Sequence, residues 1–438
     1  MALTKTELKE RIPFFLFIFS ICLLSFFYGT AIIRYKIFPY KTLTRGLDQA
    51  EKFSSKPHYL HPIRYKHYGV TIYDSSKIMP GVTLLTSFWA KTDWTAGIQL
   101  INTKGKALHH WEVNAHEIWP ESPHTDFARN TCNTKDTAID GTYLFPNGDI
   151  IFNITGLGLI RMNSQGKVIW KLPYRTHHSI SRDDNGNFWV PGLKWIEKFD
   201  KRLPIFIPKF TEETLLLISP DGEILKEISL LESLLRSDYK YLFWHYKLFS
   251  GDILHLNDVE ALSNELADQY SMFESGDLLF SMRHLNSIAV CNQNGNIKWL
   301  FPGVFTYQHD PDFEANGWIT VLDNRSNIDN ESMIRSVNPA SGEVRQLFPN
   351  KTIAQYESFK QHNEGNLFYT EIAGKHQKLR NGNRLITEAC AGRVFEITPN
   401  GEIIWEWISQ PYQNSYVPEV LEGSRYEISE KDVAMWEN

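Results

Sequence analysis

Two kinds of hydrophobic pattern divide the chain. Residues 12–33 are almost entirely apolar and carry no charge, whereas from residue 80 onward short apolar runs alternate with turns that contain glycine. At 1.5 Å per residue, a helix over this segment is about 33 Å long, enough to cross the roughly 30 Å hydrocarbon core of a membrane. The pattern predicts one N-terminal transmembrane helix followed by a β-rich domain.

A cleaved signal peptide is the alternative for the apolar segment. The apolar region of a signal peptide has about 7–15 residues and ends in small residues, whereas this segment is longer and ends in Ile32, Ile33 and Arg34. We therefore predict an uncleaved signal anchor. Basic residues flank it on both sides and do not fix its orientation, but a large domain behind one N-terminal anchor can be translocated whatever the nearby charges. We expect the domain to be periplasmic or extracellular.

Two glycine turns recur in pairs along the rest of the chain. The second turn of each pair precedes an apolar or aromatic run, as Gly105 precedes Trp111 and Gly166 precedes Trp170. Glycine supplies the positive φ that tight hairpin turns need. The first turns contain Gly81, Gly148, Gly186, Gly276, Gly317 and Gly382, and the second turns contain Gly105, Gly166, Gly222, Gly295, Gly342 and Gly401.

Six pairs of turns predict an all-β fold, a six-bladed β-propeller, because repeated β units that bury their faces against each other close into a ring. Gly105 and Gly401 lie five units apart, so one unit has about 59 residues. A blade usually has about 40–50 residues, and we expect the surplus in loops. A large β-sandwich with regularly spaced hairpins is the alternative.

The predicted organisation has three parts. Residues 1–33 form a cytoplasmic stub and the signal-anchor helix, residues 34–79 a linker and a leading strand, and residues 80–438 the propeller. Within the propeller, Leu230–Arg236 has the apolar spacing of a short amphipathic helix.

Composition argues against some classes of binding partner. The chain has 438 residues and a net charge of −6, so it offers no basic field for nucleic acid. No Cys-x-x-Cys metal motif occurs, and the three cysteines outside the apolar segment, Cys132, Cys291 and Cys390, allow at most one disulfide bond. Tryptophans follow four of the second turns and predict packing between blades; they are Trp111, Trp170, Trp299 and Trp405.

Polar motifs recur in loops next to the predicted innermost strands. These strands converge on the central channel of a propeller, so side chains far apart in sequence can meet at one mouth. The motifs are His177-His178-Ser179, His255-Leu256-Asn257-Asp258, Ser281-Met282-Arg283 and Gln308-His309-Asp310. Adjacent residues of a strand point to opposite faces, which argues against a metal held by the two paired histidines.

The motifs resemble those of the bacterial arylsulfate sulfotransferases, six-bladed propellers that move a sulfuryl group from one phenol to another. The resemblance runs from about His177 to Trp405, and its most specific parts are 252–260, 281–283 and 307–310. Further similarity covers 321–324, 381–386 and 394–401.

The resemblance implies that His309 is the nucleophile. It would take the sulfuryl group as a transient sulfohistidine, which a second phenol then attacks in a ping-pong route. Arg283, His255 and one of the paired histidines would hold the sulfuryl oxygens.

The resemblance favours His178 over His177 for this contact, with His177 as a substrate-binding residue. It also implies that Asn257 orients a neighbour in the substrate site. The sequence departs from the family pattern where Ser179-Ile180 follows the second histidine, because an acidic residue is expected there. The choice between the two histidines therefore stays open.

The chemistry of sulfuryl transfer needs these residue types. Negative charge spreads over the sulfuryl oxygens, so a fixed cation and several donors are required. Arginine keeps its charge, neutral imidazole is a competent nucleophile, and a second histidine can protonate the leaving phenoxide. We expect no metal and no cofactor, and the lack of a Gly-x-x-x-x-Gly-Lys-Ser/Thr motif argues against a phosphoadenosine donor.

The first hypothesis is therefore a membrane-anchored aryl-sulfate sulfotransferase-like enzyme. Its partners would be a small aryl sulfate donor, a phenolic acceptor and the membrane, with no nucleic acid. Two alternatives stay open: a non-catalytic membrane-anchored propeller that serves as a binding or scaffold module, and a sulfate or phosphate ester hydrolase using the same pocket. The sequence does not specify the donor, the acceptor or the oligomeric state.

Overall fold

The structure, a computed structural model, describes residues 5–35, 38–39, 59–124, 137–245, 250–325, 330–349 and 352–436. It has two compact units, Met1–His58 and Tyr59–Asn438. Cys132 lies outside the described residues, whereas Cys22, Cys291 and Cys390 are free thiols.

The first unit contains helix α1 (Lys5–Tyr35). Its segment Arg11–Ile32 has a mean hydropathy of 2.2 and is long and apolar enough to cross a membrane. Among the described residues it is the one helix that meets this criterion, and a signal sequence would meet it as well.

The second unit is a six-bladed β-propeller, which confirms the predicted fold and excludes the sandwich. In hydrogen-bonding order, blade 1 comprises Glu422–Tyr426, Val82–Trp89, Thr95–Asn102 and Ala107–Glu112; blade 2 Ile139–Leu144, Ile150–Ile154, Gly158–Met162 and Val168–Leu172; and blade 3 Ser181–Arg182, Phe188–Ile196, Phe210–Ile218 and Ile224–Ser229. Blade 4 comprises Leu256–Ala261, Leu278–Met282, Ser287–Cys291 and Ile297–Pro302; blade 5 His309–Glu314, Trp318–Asp323, Met333–Val337 and Val344–Phe348; and blade 6 Lys375–Lys378, Arg384–Glu388, Arg393–Ile397, Ile403–Ile408 and Gly69–Tyr73.

The first strands of the blades surround the central channel, where first strands of neighbouring blades contact one another. The predicted glycine turns fit this order. In blades 2–6 the first turn lies between the first and second strands, and in all six blades the second turn joins the third and fourth strands.

Both ends of the second unit contribute to ring closure. Glu422–Tyr426 is the first strand of blade 1 and pairs with Val82–Trp89. Gly69–Tyr73 is the fifth strand of blade 6, and the short strand Leu60–Pro62 pairs with Tyr416–Pro418. The Gly81 turn therefore joins two blades, because the strand before it belongs to blade 6. Closure leaves few exposed sheet edges.

Two of the predicted tryptophans show how neighbouring blades pack. Nε1 of Trp170 donates to the carbonyl of Pro220 over 2.9 Å, and Nε1 of Trp405 donates to that of Thr103 over 2.7 Å. Each indole thus lies on the second turn of the next blade. At Gly222 a Cβ atom would come within 2.7 Å of the Trp170 ring, so this packing requires glycine.

Short helices lie in the connections. The predicted helix is confirmed as α3 (Leu230–Arg236), in which Ser229 caps the N–H of Glu232 and the leucines at 230, 231 and 234 are buried. The other short helices are α2 (Ala115–Ile118), α4 (Leu242–His245), α5 (Asn264–Ala267), α6 (Ile353–His362) and α7 (Glu430–Met435). Single 3₁₀ turns cover Ala90–Thr92, Asp238–Tyr241, Arg283–Leu285, Ala315–Gly317 and Ala389–Ala391.

Candidate active site

Topology brings the predicted site residues to one end of the channel. His255 directly precedes the first strand of blade 4, and His309 begins the first strand of blade 5. Arg283 directly follows the second strand of blade 4. In an antiparallel pair the start of one strand lies beside the end of the next. His177 and His178 precede the first strand of blade 3 at the same end.

A chain of hydrogen bonds joins Asp252, His255 and Arg283. Nδ1 of His255 contacts the Asp252 carboxylate, and Arg283 Nη1 lies 3.0 Å from Nε2 of His255. Since arginine can only donate, Nε2 accepts and the proton of His255 lies on Nδ1. Burial raises the pKa of Asp252, but the hydrogen bond from His255 and the charge of His177 outweigh burial, and the pKa falls to about 2. Asp252 is therefore ionised and orients His255.

The paired histidines also contact each other. Nδ1 of His177 lies 2.8 Å from Nδ1 of His178, and Nε2 of His177 lies 3.1 Å from Glu213 Oε2. The prediction that the two side chains point to opposite faces is wrong. His178 lies outside the strands and has φ of 57°, in the left-handed region, so its ring turns towards that of His177. His255 and Tyr307 share this strained backbone, at φ 52° and 54°.

The two ring nitrogens of His177 connect the Glu213 carboxylate to the ring of His178. Burial lowers its pKa, but Glu213 outweighs burial and raises the pKa above the ordinary value. When His177 is charged, its Nδ1–H donates to His178 and the proton of neutral His178 lies on Nε2. When His177 is neutral, with its proton towards Glu213, the direction reverses and His178 Nε2 becomes an acceptor.

The ring of His309 is held in one tautomer. Its Nδ1 lies 2.7 Å from Asn324 Oδ1 and 3.0 Å from the carbonyl of Tyr307. Nδ2 of Asn324 donates to the carbonyls of Thr370 and Ala373 over 2.9 and 2.8 Å, so Oδ1 faces the imidazole. With two acceptors at Nδ1, the proton lies there and Nε2 carries the lone pair.

Electrostatics keep His309 neutral. Burial and the charge of Arg283 lower its pKa to about 3, although the hydrogen bond from Nδ1 to Asn324 raises it. Burial, followed by the charges of His177 and Arg283, lowers the pKa of His178 well below its ordinary value. Tyr307 links the groups, because its carbonyl contacts His309 and its ring centre lies 5.2 Å from Arg283 Cζ.

Asn257 contacts the segment that carries His309. It is buried, and its Nδ2 donates to the carbonyl of Gln308 over 2.7 Å. The Gln308 side chain donates to Ser281 Oγ over 3.0 Å and to the Ser287 carbonyl over 2.9 Å. These bonds fix the backbone immediately before His309.

Further charged side chains lie on the first strands of blades 4, 5 and 6, which line the channel. Burial and a neighbouring carboxylate raise the pKa of Asp258 and of Glu260, and they raise that of Asp310 to about 6. Lys375 is also held there, where the carboxylates of Glu422 and Asp310 outweigh burial and raise its pKa.

Two groups near the site have atoms close enough to bind a metal ion: Asp252 with His255 and His284, and Asp310 with Asp312 and His376. In the first, the carboxylate already accepts from His255. In the second, Nδ1 of His376 accepts from Arg384 over 3.1 Å, and Lys375 supplies positive charge. Protein side chains therefore already occupy ligand atoms in both groups, a histidine N–H in the first and an arginine in the second.

Four residues beside the predicted ones were not assigned roles from the sequence: Asp252, Glu213, Tyr307 and Asn324. Three of them stand inside the segments that carry the family resemblance. Glu213 lies outside these segments, and the sequence gives only a weak signal for it, an acidic residue shortly before the apolar run 215–218. The structure shows that this carboxylate is buried. Glu213 also supplies an acid beside the histidine pair from a neighbouring strand, where the sequence after His178 has none.

Comparisons with known proteins address the family directly. The sequence profile of the arylsulfotransferase (ASST) family matches residues 142–410. No curated protein matches the chain.

Two of the solved structures that match the chain are distant from it in sequence. A Bacteroides caccae protein of unknown function is 13% identical, with a TM-score of 0.45, over 75% of this chain and 94% of that one. Selenomethionine-substituted virginiamycin B lyase from Staphylococcus aureus is 14% identical, with a TM-score of 0.39, over 85% and 90%. Similarity at this level has no bearing on activity.

Proposed function

Because the chain belongs to the arylsulfotransferase (ASST) family, we propose that it transfers a sulfuryl group from an aryl sulfate to a phenolic acceptor, with His309 as the nucleophile. One observation carries the proposal. The Nδ1–H of His309 is bonded to Asn324, so the lone pair lies on Nε2. A neutral imidazole with a fixed tautomer beside a permanent cation is the group that a covalent route requires.

In the first half-reaction Nε2 of His309 attacks the sulfur of the aryl sulfate. The N–S bond forms, the S–O bond to the aryl group breaks, and the aryloxide leaves with the bonding electrons. The charge of Arg283 stabilises the sulfuryl oxygens in the transition state. His255 acts with Asp252 to hold the guanidinium, through the 3.0 Å contact of its Nε2.

The relay of Glu213, His177 and His178 supplies the proton for the leaving aryloxide. Charged His177 places a proton on Nε2 of His178, and transfer of that proton to the aryloxide leaves His177 neutral. Both ring nitrogens of His177 contact protein groups, Glu213 and His178. His177 thus acts through His178, and Asn257 acts through the backbone of Gln308.

The second half-reaction reverses these steps. The phenolic acceptor gives its proton to Nε2 of His178, and its oxygen attacks the sulfur of the sulfohistidine. The N–S bond breaks, the lone pair returns to Nε2 of His309, and the relay regains its starting protonation.

The test is the variant His309→Ala with a chromogenic aryl sulfate. Wild-type protein should release one equivalent of phenol in a burst and gain the mass of one SO₃ group on the peptide that contains His309. The variant should show neither. Release of phenol by folded His309→Ala at the wild-type rate would refute the assignment. Analysis of the products with and without an added phenol separates transfer from hydrolysis.

We also propose that the propeller lies outside the cytoplasm, in the periplasm or the extracellular space, behind a single membrane anchor. The apolar length of Arg11–Ile32 supports an anchor. Alkaline phosphatase fused after residue 438 should be active in cells, because alkaline phosphatase becomes active only in an oxidising compartment. The opposite result would refute this topology: an inactive phosphatase fusion, together with fluorescence from a cytoplasmic reporter protein fused at the same position.

A further inference from the structure

A second cluster of reactive side chains shares no residue with the candidate active site and includes the segment where the propeller begins. It contains His61, Cys390 and Glu419, from three separate parts of the chain. His61 lies in the strand Leu60–Pro62, Glu419 directly follows the strand paired with it, and Cys390 lies in the turn Ala389–Ala391. The fold thus brings together an imidazole, a thiol and a carboxylate that no sequence motif connects.

We propose that His61, Cys390 and Glu419 form a binding site for a zinc ion. Their three ligand atoms lie within 4.8 Å of one another, and Nε2 of His61 is 3.6 Å from Oε2 of Glu419. The ligand atoms of a tetrahedral zinc site are about 3.3–3.6 Å apart, as follows from zinc–ligand distances of about 2.0–2.3 Å. Small side-chain movements are enough to reach this arrangement.

Burial supports a ligand at this position. Cys390 is 3% and Glu419 6% exposed, and the His61 side chain is 21% exposed. Nε2 of His61 is itself buried, makes no hydrogen bond within 3.5 Å among the described residues, and lies 3.6 Å from the carboxylate of Glu419. This contact is longer than a hydrogen bond, and a metal ion between the nitrogen and the carboxylate would bind both at about 2.0–2.2 Å.

The chemical types of the three ligand atoms determine which metal ion fits the site. Thiolate, imidazole and carboxylate together suit Zn²⁺, whereas Mg²⁺ and Ca²⁺ prefer oxygen ligands alone. On binding, the thiol of Cys390 loses its proton and a bond forms between Sγ and the metal. Three protein ligands leave a fourth position for water, and no redox change is involved.

The surroundings give this site a structural consequence. The backbone N–H of Cys390 donates to Oγ1 of Thr370 over 3.3 Å, and Sγ lies 3.5 Å from the carbonyl of Ile372. Thr370 and Ala373 are the residues whose carbonyls hold Asn324. A zinc ion at Cys390 would therefore rigidify the segment 370–373 behind the nucleophile. The proposal concerns metal binding and does not depend on sulfuryl transfer.

The experiment uses the full chain in detergent, stripped with a chelator and titrated with Zn²⁺ against a chromophoric competitor. We expect one equivalent bound by wild type and an affinity more than about 100-fold weaker in Cys390→Ser and in His61→Ala, since even supporting residues around a metal change affinity by about 10–100-fold. Cys291→Ser is the matched control, because it removes another buried free thiol, and it should bind like wild type. Wild-type protein that binds no zinc, or Cys390→Ser that binds it equally well, would overturn the proposal.

A second measurement needs no variant and so does not depend on whether Cys390→Ser folds. Co²⁺ added to stripped wild-type protein should give a thiolate-to-cobalt charge-transfer band in the near ultraviolet, and Zn²⁺ should displace it. A cobalt spectrum without this band would also refute Cys390 as a ligand. Glu419→Gln should keep the band and weaken zinc binding.

Discussion

The Nδ1–H of His309 donates to Oδ1 of Asn324 over 2.7 Å, and this bond decides which ring nitrogen is free to react. Asn324 cannot rotate its amide without losing its bonds to Thr370 and Ala373, at 2.9 and 2.8 Å. The backbone of the connection between blades 5 and 6 therefore fixes the tautomer of the nucleophile. Asn324 is a positioning residue in the proposed reaction.

Replacing Asn324 with alanine should lower kcat by about 100-fold or more, because a wrong tautomer at a catalytic histidine costs up to about 10⁴-fold elsewhere. The KM for the aryl sulfate should change little, since Asn324 is fully buried and its side chain contacts His309 and two backbone carbonyls. Steady-state kinetics on the folded variant check both values. An unchanged kcat would show that Tyr307 alone is enough to hold the tautomer.

Replacing Asn324 with aspartate tests the same bond through pH. In wild type the pKa of His309 is about 3, so its protonation does not limit the rate near neutral pH. A carboxylate at Nδ1 stabilises the charged imidazolium and raises this pKa. The acidic limb of the kcat/KM profile should therefore move to higher pH. A profile that coincides with that of wild type would contradict the assigned role.

The sequence predicts the propeller because the glycine turns need only local information, and their recurrence counts the blades. It does not predict ring closure at blade 1, since Glu422–Tyr426 and Val82–Trp89 are separated by most of the chain. The same distinction between local and long-range information applies to the site residues. The motifs around His255 and His309 are local signals, whereas the contact between His177 and Glu213 arises only when two strands of blade 3 fold beside the loop.

Arg283→Lys separates charge from geometry. Lysine keeps the positive charge but lacks the planar fork that contacts His255 and lies over Tyr307. We expect kcat/KM to fall by about 100-fold, in the range seen when one preorganised donor is removed. In Arg283→Met, kcat/KM should fall further, because this variant also loses the positive charge. Equal losses in the two variants would mean that the charge itself contributes nothing.

Glu213→Gln should move the basic limb of the pH profile to lower pH. The Glu213 carboxylate raises the pKa of His177, and the proton donor is active while His177 is charged. Without the carboxylate, burial lowers the pKa of His177, so the charged form is lost at lower pH. The loss of rate should be largest for aryl sulfates with basic leaving groups. Glu212→Gln is the matched control, because that side chain contacts Ser229; a shift there of equal size would count against the relay.

Arg425 ties the closing strand of blade 1 to blade 6, and its loss should destabilise the ring. Its Nη1 lies 3.3 Å from Oε2 of Glu396, and the two side chains are 1% and 0% exposed. Arg425→Met leaves a buried carboxylate without its counter-charge, which costs about 3–5 kcal/mol of unfolding free energy. Denaturant titration measures this loss.

Arg425→Met combined with Glu396→Gln should recover part of the lost stability, because the second change removes the unpaired charge. A double variant as unstable as the sum of the singles would show that Arg425 stabilises the closure by packing on Trp405, whose ring centre lies 5.0 Å from Cζ, rather than by its charge.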